Sequence, residues 1–339
     1  MIKLGPIQLE HPFILAPMAG ITNSPFRRLM RKMGSSLVVS ELVSANGLEY
    51  GGKKNLELLK FHEEERPIGI QVFGERVDLL CKACQKAEQL GADFVDLNVG
   101  CPVPKIVKKG AGAALCRNAK ELEKILKAIV KSVNIPVSIK MRTGWDEQNK
   151  NALDCIKAAA EAGVQWVAIH GRTKAQGYSG QADWDFIGEI KSKSPLPIIG
   201  NGDLVTAEIT LEKYHSYKVD AVMIGRGALR NPFIFKQAYE LWKNKVFFAP
   251  TAQDYVSLMQ NLRILLNENC SAFMAVIYAR KFLAWFSSGF RGCHEFRKNV
   301  FTIKEPETLW NEAFLYFENN MHSRNLDYIS QPFLMGGHG

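Results

Sequence analysis

The chain has 339 residues, 47% hydrophobic and 23% charged, an ordinary globular composition that excludes a disordered or fibrous protein. Lysine and arginine number 43 against 34 aspartates and glutamates, a formal charge of +9 that suits a polyanionic partner and equally suits plain solubility. No apolar run approaches the ~18 residues that cross a bilayer, and Lys3, Pro6, Glu10 and His11 ahead of the run 13–18 do not read as a secretory signal, so a soluble, cytoplasmic protein is expected.

Eight short β-rich runs follow in order, at 13–18, 37–42, 68–73, 94–99, 137–141, 166–170, 198–201 and 221–224. Between them, stretches such as 77–90, 119–132 and 152–162 carry apolar residues at three- and four-residue spacing, which predicts helices. The first and third of these stop at Gly91 and Gly163, a common helix ending. The runs recur about every 30 residues, the length of one βα unit. No G-x-G-x-x-G opens a helix, so eight units predict a (β/α)8 TIM barrel rather than a doubly wound sheet. The longest interval follows the fourth run, where 101–117 form an extra loop at the strand's carboxyl end, the end at which barrel enzymes hold their chemistry. After Trp242 the β-rich runs stop, and stretches such as 255–266 and 273–286 read as helices. Pro250 marks the boundary. The expected organisation is a catalytic barrel over 1–245 and a smaller all-helical domain over 251–335.

Strand side chains alternate between barrel interior and helix layer. In 137–142 the apolar set faces the helices, so Lys140 and Arg142 point inward, and the same parity places Gln71, Asn98, His170 and Asn201 near the carboxyl ends of their strands. One inward polar residue is ordinary. Such residues on five strands predict a polar ligand across the barrel mouth, and a buried Lys140 requires a partner with acceptors or negative charge. Strand seven ends Gly200-Asn201-Gly202-Asp203 and strand eight Gly225-Arg226-Gly227-Ala228, the loops that in barrels bind phosphate through backbone N–H groups, here with Arg226 as a forked cation. A flat ligand with a phosphate tail fits FMN, whose reduced ring gains charge that Lys140 would stabilise. The small, stiff residues Ala16, Pro17, Met18 and Ala19 would let the ring lie against backbone.

Cys101 opens the long loop directly over this position and is the candidate proton donor or nucleophile. The other six cysteines are scattered, and Cys81-x-x-Cys84 lies in a helical pattern with no second pair. Packing explains them better than a disulfide framework or a metal site, and a reducing compartment is expected. No carboxylate–histidine cluster suggests a metal.

Together the stretches 16–23, 96–105, 110–115, 170–173, 176–184 and 225–229 resemble the tRNA-dihydrouridine synthases, most closely the B-type bacterial branch. The Asn98-Val99-Gly100-Cys101-Pro102 loop and the Tyr178-x-Gly180-x-Ala182-Asp183-Trp184 segment are the specific parts, and 279–285 carries a weaker match in the helical domain. The sequence departs at Arg230, where the family often has glycine, and at Phe282, where it usually has histidine. The resemblance implies FMN held by Pro17, Met18, Ala19, Gln71, Lys140, His170, Asn201, Gly202, Asp203, Gly225 and Arg226. It also implies reduction of the uridine C5=C6 bond in tRNA, in the D-loop, by NADPH-reduced FMN. Cys101 would protonate C5, and Asn98 and Tyr178 would orient the uracil.

Two other readings stand beside it: an FMN barrel oxidoreductase acting on a free pyrimidine, of the dihydroorotate dehydrogenase type, and a non-catalytic RNA-binding protein on the same fold. Other structured RNA stays open as substrate, and a monomer is expected. From residue 251 on, eight cations meet eight acids, so the net charge belongs to the barrel. Within 280–298, however, five cations face one acid, and Lys105, Lys108 and Lys109 have no acid near them in sequence. RNA is therefore expected between Lys105 on the Cys101 loop and Arg280 and Lys281 on the helical domain.

Overall fold

The structure is a computed structural model and describes residues 2–243 and 246–320, so 321–335 of the expected helical domain lie outside the described residues. Two short antiparallel strands come first, β1 (Ile2–Leu4) and β2 (Ile7–Leu9). The barrel strands are β3 (Phe13–Leu15), β4 (Val38–Val39), β5 (Val43–Ser44), β6 (Ile68–Phe73), β7 (Phe94–Val99), β8 (Val137–Arg142), β9 (Trp166–His170), β10 (Ile198–Asn201) and β11 (Ala221–Ile224). They pair in parallel in the order β3-β11-β10-β9-β8-β7-β6-β4, with β5 also on β6. The backbone bonds Leu15 N–H to Leu37 O (3.0 Å) and Ser36 N–H to Phe13 O (2.9 Å) bring the two ends of that path together.

All eight expected runs are therefore strands of one barrel. Of the second run only Val38–Val39 is strand, with β5 just beyond it; between them the Ser40 N–H bonds Gly69 O at 2.9 Å while its hydroxyl, in place of a backbone carbonyl, accepts the Gln71 N–H at 2.9 Å. The expected helices form at Val77–Gln89, Ala119–Ser132 and Ala152–Glu161, and the first and third end at Gly91 and Gly163, both left-handed. The β1–β2 hairpin was not foreseen, since three-residue strands carry almost no periodic signal. Its Leu4 and Leu9 join Ile14, Phe94, Trp166, Ala168 and Ile199 in a separate apolar cluster that fills the bottom of the barrel. The polar residues sit above that plug, at the strands' carboxyl ends.

From Ala252 on, the described elements are helices, among them Ala252–Asn269, capped by Thr251 with Asp254, and Ala272–Phe286. This helical part packs beside β3 and β11, against the helix Ser24–Lys32 and the turn Gly227–Arg230. Phe26 stacks on Phe282 (4.9 Å between centroids, 7° between planes), and buried Arg28 reaches Glu268 at 2.8 Å. Phe282, one of the two sequence departures, is thus an interdomain core residue. No helix of the described residues is long and apolar enough to cross a membrane.

Candidate active site

Strand register builds the site. Gln71 lies beside Asp96, Asn98 beside Lys140, Arg142 beside His170, and His170 beside Asn201. Neighbours in register point to the same face, so the alternation expected from the sequence converges these side chains at one end of the barrel. They line a cavity of about 1030 Å³. All eleven residues expected to hold the cofactor border it, together with Asn98, Cys101 and Tyr178. Lys105, exposed on the loop after β7, stands next to the lining residues Pro104 and Ile106. Lys281 is exposed on the helical domain, and Arg280 turns inward, its guanidinium donating to the Ile303 carbonyl.

Beneath the cavity a hydrogen-bond chain runs from the barrel interior to the cysteine. The Ser138 hydroxyl and the Gln71 amide each donate to Asp96 at 2.6 Å. Asn98 Nδ2 donates to Gln71 Oε1 at 3.1 Å, and Asn98 Oδ1 accepts the Cys101 N–H at 2.8 Å. Arg142 Nε holds the Gly100 carbonyl at 2.8 Å, and the Cys101 carbonyl accepts the Ala113 N–H at 3.0 Å. The backbone that carries Cys101 is thus fixed from three sides.

Composition and motif give Asp96 no role, although it precedes Asn98 by two residues and must share its face. Burial pushes its carboxyl up to about 6, against the pull of Gln71, Ser138 and Lys140. Burial, then Arg142, brings the Lys140 ammonium down to about 8, so it stays largely charged at neutral pH, where its Nζ donates to Asn201 Oδ1 at 2.9 Å. Burial, then Arg142, Lys140, Arg172 and Arg226, hold His170 well below the ordinary imidazole value. Arg172 Nη1 lies 3.3 Å from His170 Nε2. An arginine only donates, so Nε2 accepts and the ring proton sits on Nδ1. Burial raises the Cys101 thiol, with the Val103 backbone and Arg142 opposing, so the sulfur is protonated at neutral pH.

The two glycine loops expected from the sequence to receive a phosphate both border the cavity. The turn Gly227–Arg230 begins with Ala228 N–H bonding Gly225 O at 3.0 Å, so the N–H groups of 225–227 precede the helical ladder. Arg226 borders the cavity, its guanidinium 4.8 Å from the Tyr178 ring. Asp203, at φ 53°, gives both carboxylate oxygens to Arg172 at 2.9 Å and one to the Ala182 N–H. Its side chain therefore braces the loop after β9, and what Asp203 can offer a ligand is backbone. Five cations border the cavity (Lys140, Arg142, Lys174, Arg226 and Arg230), while its bordering carboxylate, Asp203, is already paired. The donor set fits a flat ligand with one anionic tail: an ammonium, a carboxamide and an imidazole deep in the mouth, and a guanidinium with N–H groups at one side.

The sequence of this chain matches the dihydrouridine synthase family (Dus) over residues 14–321. The chain belongs to that family. It is 36% identical over 308 residues to the "Probable tRNA-dihydrouridine synthase" of Rickettsia prowazekii, covering 90% of this chain and 94% of that protein. It is likewise 36% identical over 309 residues to the tRNA-dihydrouridine synthase B of Pseudomonas aeruginosa, covering 91% and 93%. Among solved structures, histamine dehydrogenase from Rhizobium superposes with a TM-score of 0.54 at 10% identity, over 78% of this chain and 50% of that one. The 6-hydroxypseudooxynicotine amine oxidase of Pseudomonas geniculata gives 0.56 at 13%, over 77% and 52%. The chain spans about half the length of each of these two, and the likeness is one of fold.

Proposed function

We propose that this dihydrouridine synthase reduces the C5=C6 bond of uridines in tRNA, in the D-loop, using FMN reduced by NADPH. The observation that carries the reading is Cys101, a protonated thiol fixed by Asn98, opening onto the same cavity as Lys140, Gln71, His170 and Arg226. Gln71, Lys140, His170 and Asn201 would hold the ring and Gly202, Asp203, Gly225 and Arg226 the phosphate, with Pro17, Met18 and Ala19 against the ring. Bound FMN, reduced by NADPH, supplies the two electrons that C6 of the uracil takes up as hydride.

The remaining chemistry belongs to this chain. Asn98 and Tyr178 orient the uracil, Tyr178 from a ring that faces Arg142 at 5.5 Å and Arg226 at 4.8 Å. Cys101 Sγ gives its proton to C5 as charge builds there, and general acid catalysis of this kind is worth ~10²–10⁴-fold. The thiolate left behind is eased by Arg142 and the Val103 N–H, both of which favour the charged sulfur, until water returns the proton. Lys140 provides a positive charge deep in the mouth, where the reduced ring needs it. A uridine must leave its stack to reach a barrel mouth, which costs least in flexible loops.

Two measurements test the reading. Nucleoside analysis of tRNA and rRNA from cells with and without the gene should show loss of tRNA dihydrouridine. Purified Cys101→Ala should keep FMN and its reduction by NADPH while forming dihydrouridine ~10²–10⁴-fold more slowly. Wild-type turnover of unmodified tRNA by that variant would remove Cys101 from the chemistry, and unchanged dihydrouridine in the deletion strain would remove the activity.

A further inference from the structure

The loops after β7, β8 and β9 are tied into one rim on the side of the mouth away from the helical domain. Lys174 N–H bonds Gly144 O and Ala175 N–H bonds Trp145 O, both at 2.9 Å, joining the loops after β8 and β9. Asn151 Nδ2 bonds Cys116 O at 2.7 Å, joining the loop after β7 to them. On this rim the half-buried Trp145 ring has Arg117 at 4.6 Å and Lys174 at 4.4 Å from its centroid. Two cations are thereby held close together by an aromatic ring instead of by carboxylates.

Among the described residues, Lys105, Lys108, Lys109, Arg117 and Lys174 make no ion pair with a carboxylate. The neighbouring acids are engaged elsewhere, Glu147 with Lys150 at 2.7 Å and Asp146 with Asn149 at 2.6 Å. On the outer helices, by contrast, Lys124, Lys127, Lys191 and Lys193 each have a carboxylate partner. The rim is continuous with the cavity, because Lys174, Pro104 and Ile106 border both. The basic stretch 280–298 is different. Arg280 donates to the Ile303 carbonyl, and Arg297 donates to the Ala284 carbonyl and to Ser287 and Ser288, so part of its charge serves the domain's own packing.

We infer that the rim formed by the loops after β7, β8 and β9 is the main electrostatic anchor for the RNA backbone leading into the cavity, with Lys108, Lys109, Arg117 and Lys174 as phosphate contacts. This rests on the tRNA reading above. A strand whose base occupies the mouth must run out over its edge, and on this arc the edge carries cations without carboxylate partners among the described residues, two of them held against Trp145. The helical domain then steers and orients the RNA body from the opposite side.

The test compares Lys108→Ala/Lys109→Ala/Arg117→Ala with Lys281→Ala/Lys298→Ala, using unmodified tRNA and filter binding across a salt series. Flavin content and thermal midpoint establish that each variant is folded. The rim variant should bind tRNA roughly tenfold or more weakly and lower the salt slope by about 2 to 3, at 0.7–0.9 per contact. The helical-domain variant should lose less. Wild-type affinity and slope in the rim variant would overturn the inference, as would a larger loss in the helical-domain variant. A raised KM for NADPH with unchanged tRNA affinity would assign the rim to the nicotinamide cofactor's phosphates instead. If the wild-type protein neither binds nor modifies tRNA, it is the functional reading that fails, so the two failures are distinguishable.

Discussion

Replacing Gly112 with alanine should slow dihydrouridine formation without removing any reacting group. Gly112 opens the turn Gly112–Arg117 at φ 60°, and an added Cβ would lie 2.9 Å from the Cys101 carbonyl oxygen and 3.1 Å from Cys101 Cβ. Ordinary carbon contacts start near ~3.5 Å, and Ile106 Cγ2 also lies at 3.1 Å. The cysteine must therefore move by several tenths of an ångström or more. Misplacement of a reacting group by 1 Å costs ~10²-fold, so a fall of roughly 10- to 100-fold is expected. The left-handed backbone adds about 1–2 kcal/mol of destabilisation. Gly51→Ala separates the two effects, since Gly51 has φ 67° and nothing within 4 Å of the added methyl, so it carries the backbone cost alone. The assay is single-turnover conversion of unmodified tRNA by pre-reduced enzyme, read as dihydrouridine by mass spectrometry, with flavin reduction by NADPH measured separately. Gly112→Ala should keep the second and lose the first, and Gly51→Ala should keep both. Wild-type conversion by Gly112→Ala would show that the Cys101 backbone is not held as tightly as these contacts require.

Lys140→Met should weaken FMN binding or slow its reduction by NADPH. In the wild type that reduction should decline as pH rises through about 8, because a lysine with a lowered pKa is charged below that value and neutral above it. A pH profile unaltered by the substitution would place the charge elsewhere. Asp96→Ala leaves the Gln71 amide and the Ser138 hydroxyl each without the acceptor they meet at 2.6 Å, at about 1–3 kcal/mol apiece. A lowered denaturation midpoint and loosened flavin should follow, and an unchanged midpoint would contradict the buried network. Cys101, raised by burial, should react with iodoacetamide slowly at pH 7 and faster only above the ordinary thiol range, as followed by peptide mass mapping. Fast, selective alkylation of Cys101 at neutral pH would mean that a thiolate is present, and the proton-donor role would fail.

The barrel was legible because its signals are local. Each of the eight strands is a short apolar run, and the helices at Val77–Gln89, Ala119–Ser132 and Ala152–Glu161 show their buried faces at helical spacing. The inward polar set was legible for a related reason, since a lysine alternating with Ile139 and Met141 in one strand can face only the interior. What the residues could not say locally was who meets whom. Asp96 obeys the same parity as Asn98, but its importance depends on Gln71 and Ser138, which come from the strands on either side. The Arg172–Asp203 pair likewise joins two loops, and neither residue alone predicts it.

Charge read along the chain is silent on partners for the same reason. Residues 280–298 hold five cations and one acid, which in sequence looks like a nucleic-acid surface. Folded into a small helical domain, however, its turns need donors for their carbonyls, and Arg280 and Arg297 are the long side chains at hand. Arg117, Trp145 and Lys174 lie too far apart in sequence to register as a cluster, yet three barrel loops place them at one ring. Phe282 completes the contrast. It follows two cations in sequence, and in space it stacks on Phe26 and fixes how the helical domain sits beside β3. The mouth is thus bounded on one side by a domain in which Arg280 and Arg297 donate to backbone carbonyls and on the other by a rim where Arg117 and Lys174 flank the Trp145 ring, an asymmetry that only the closed barrel creates.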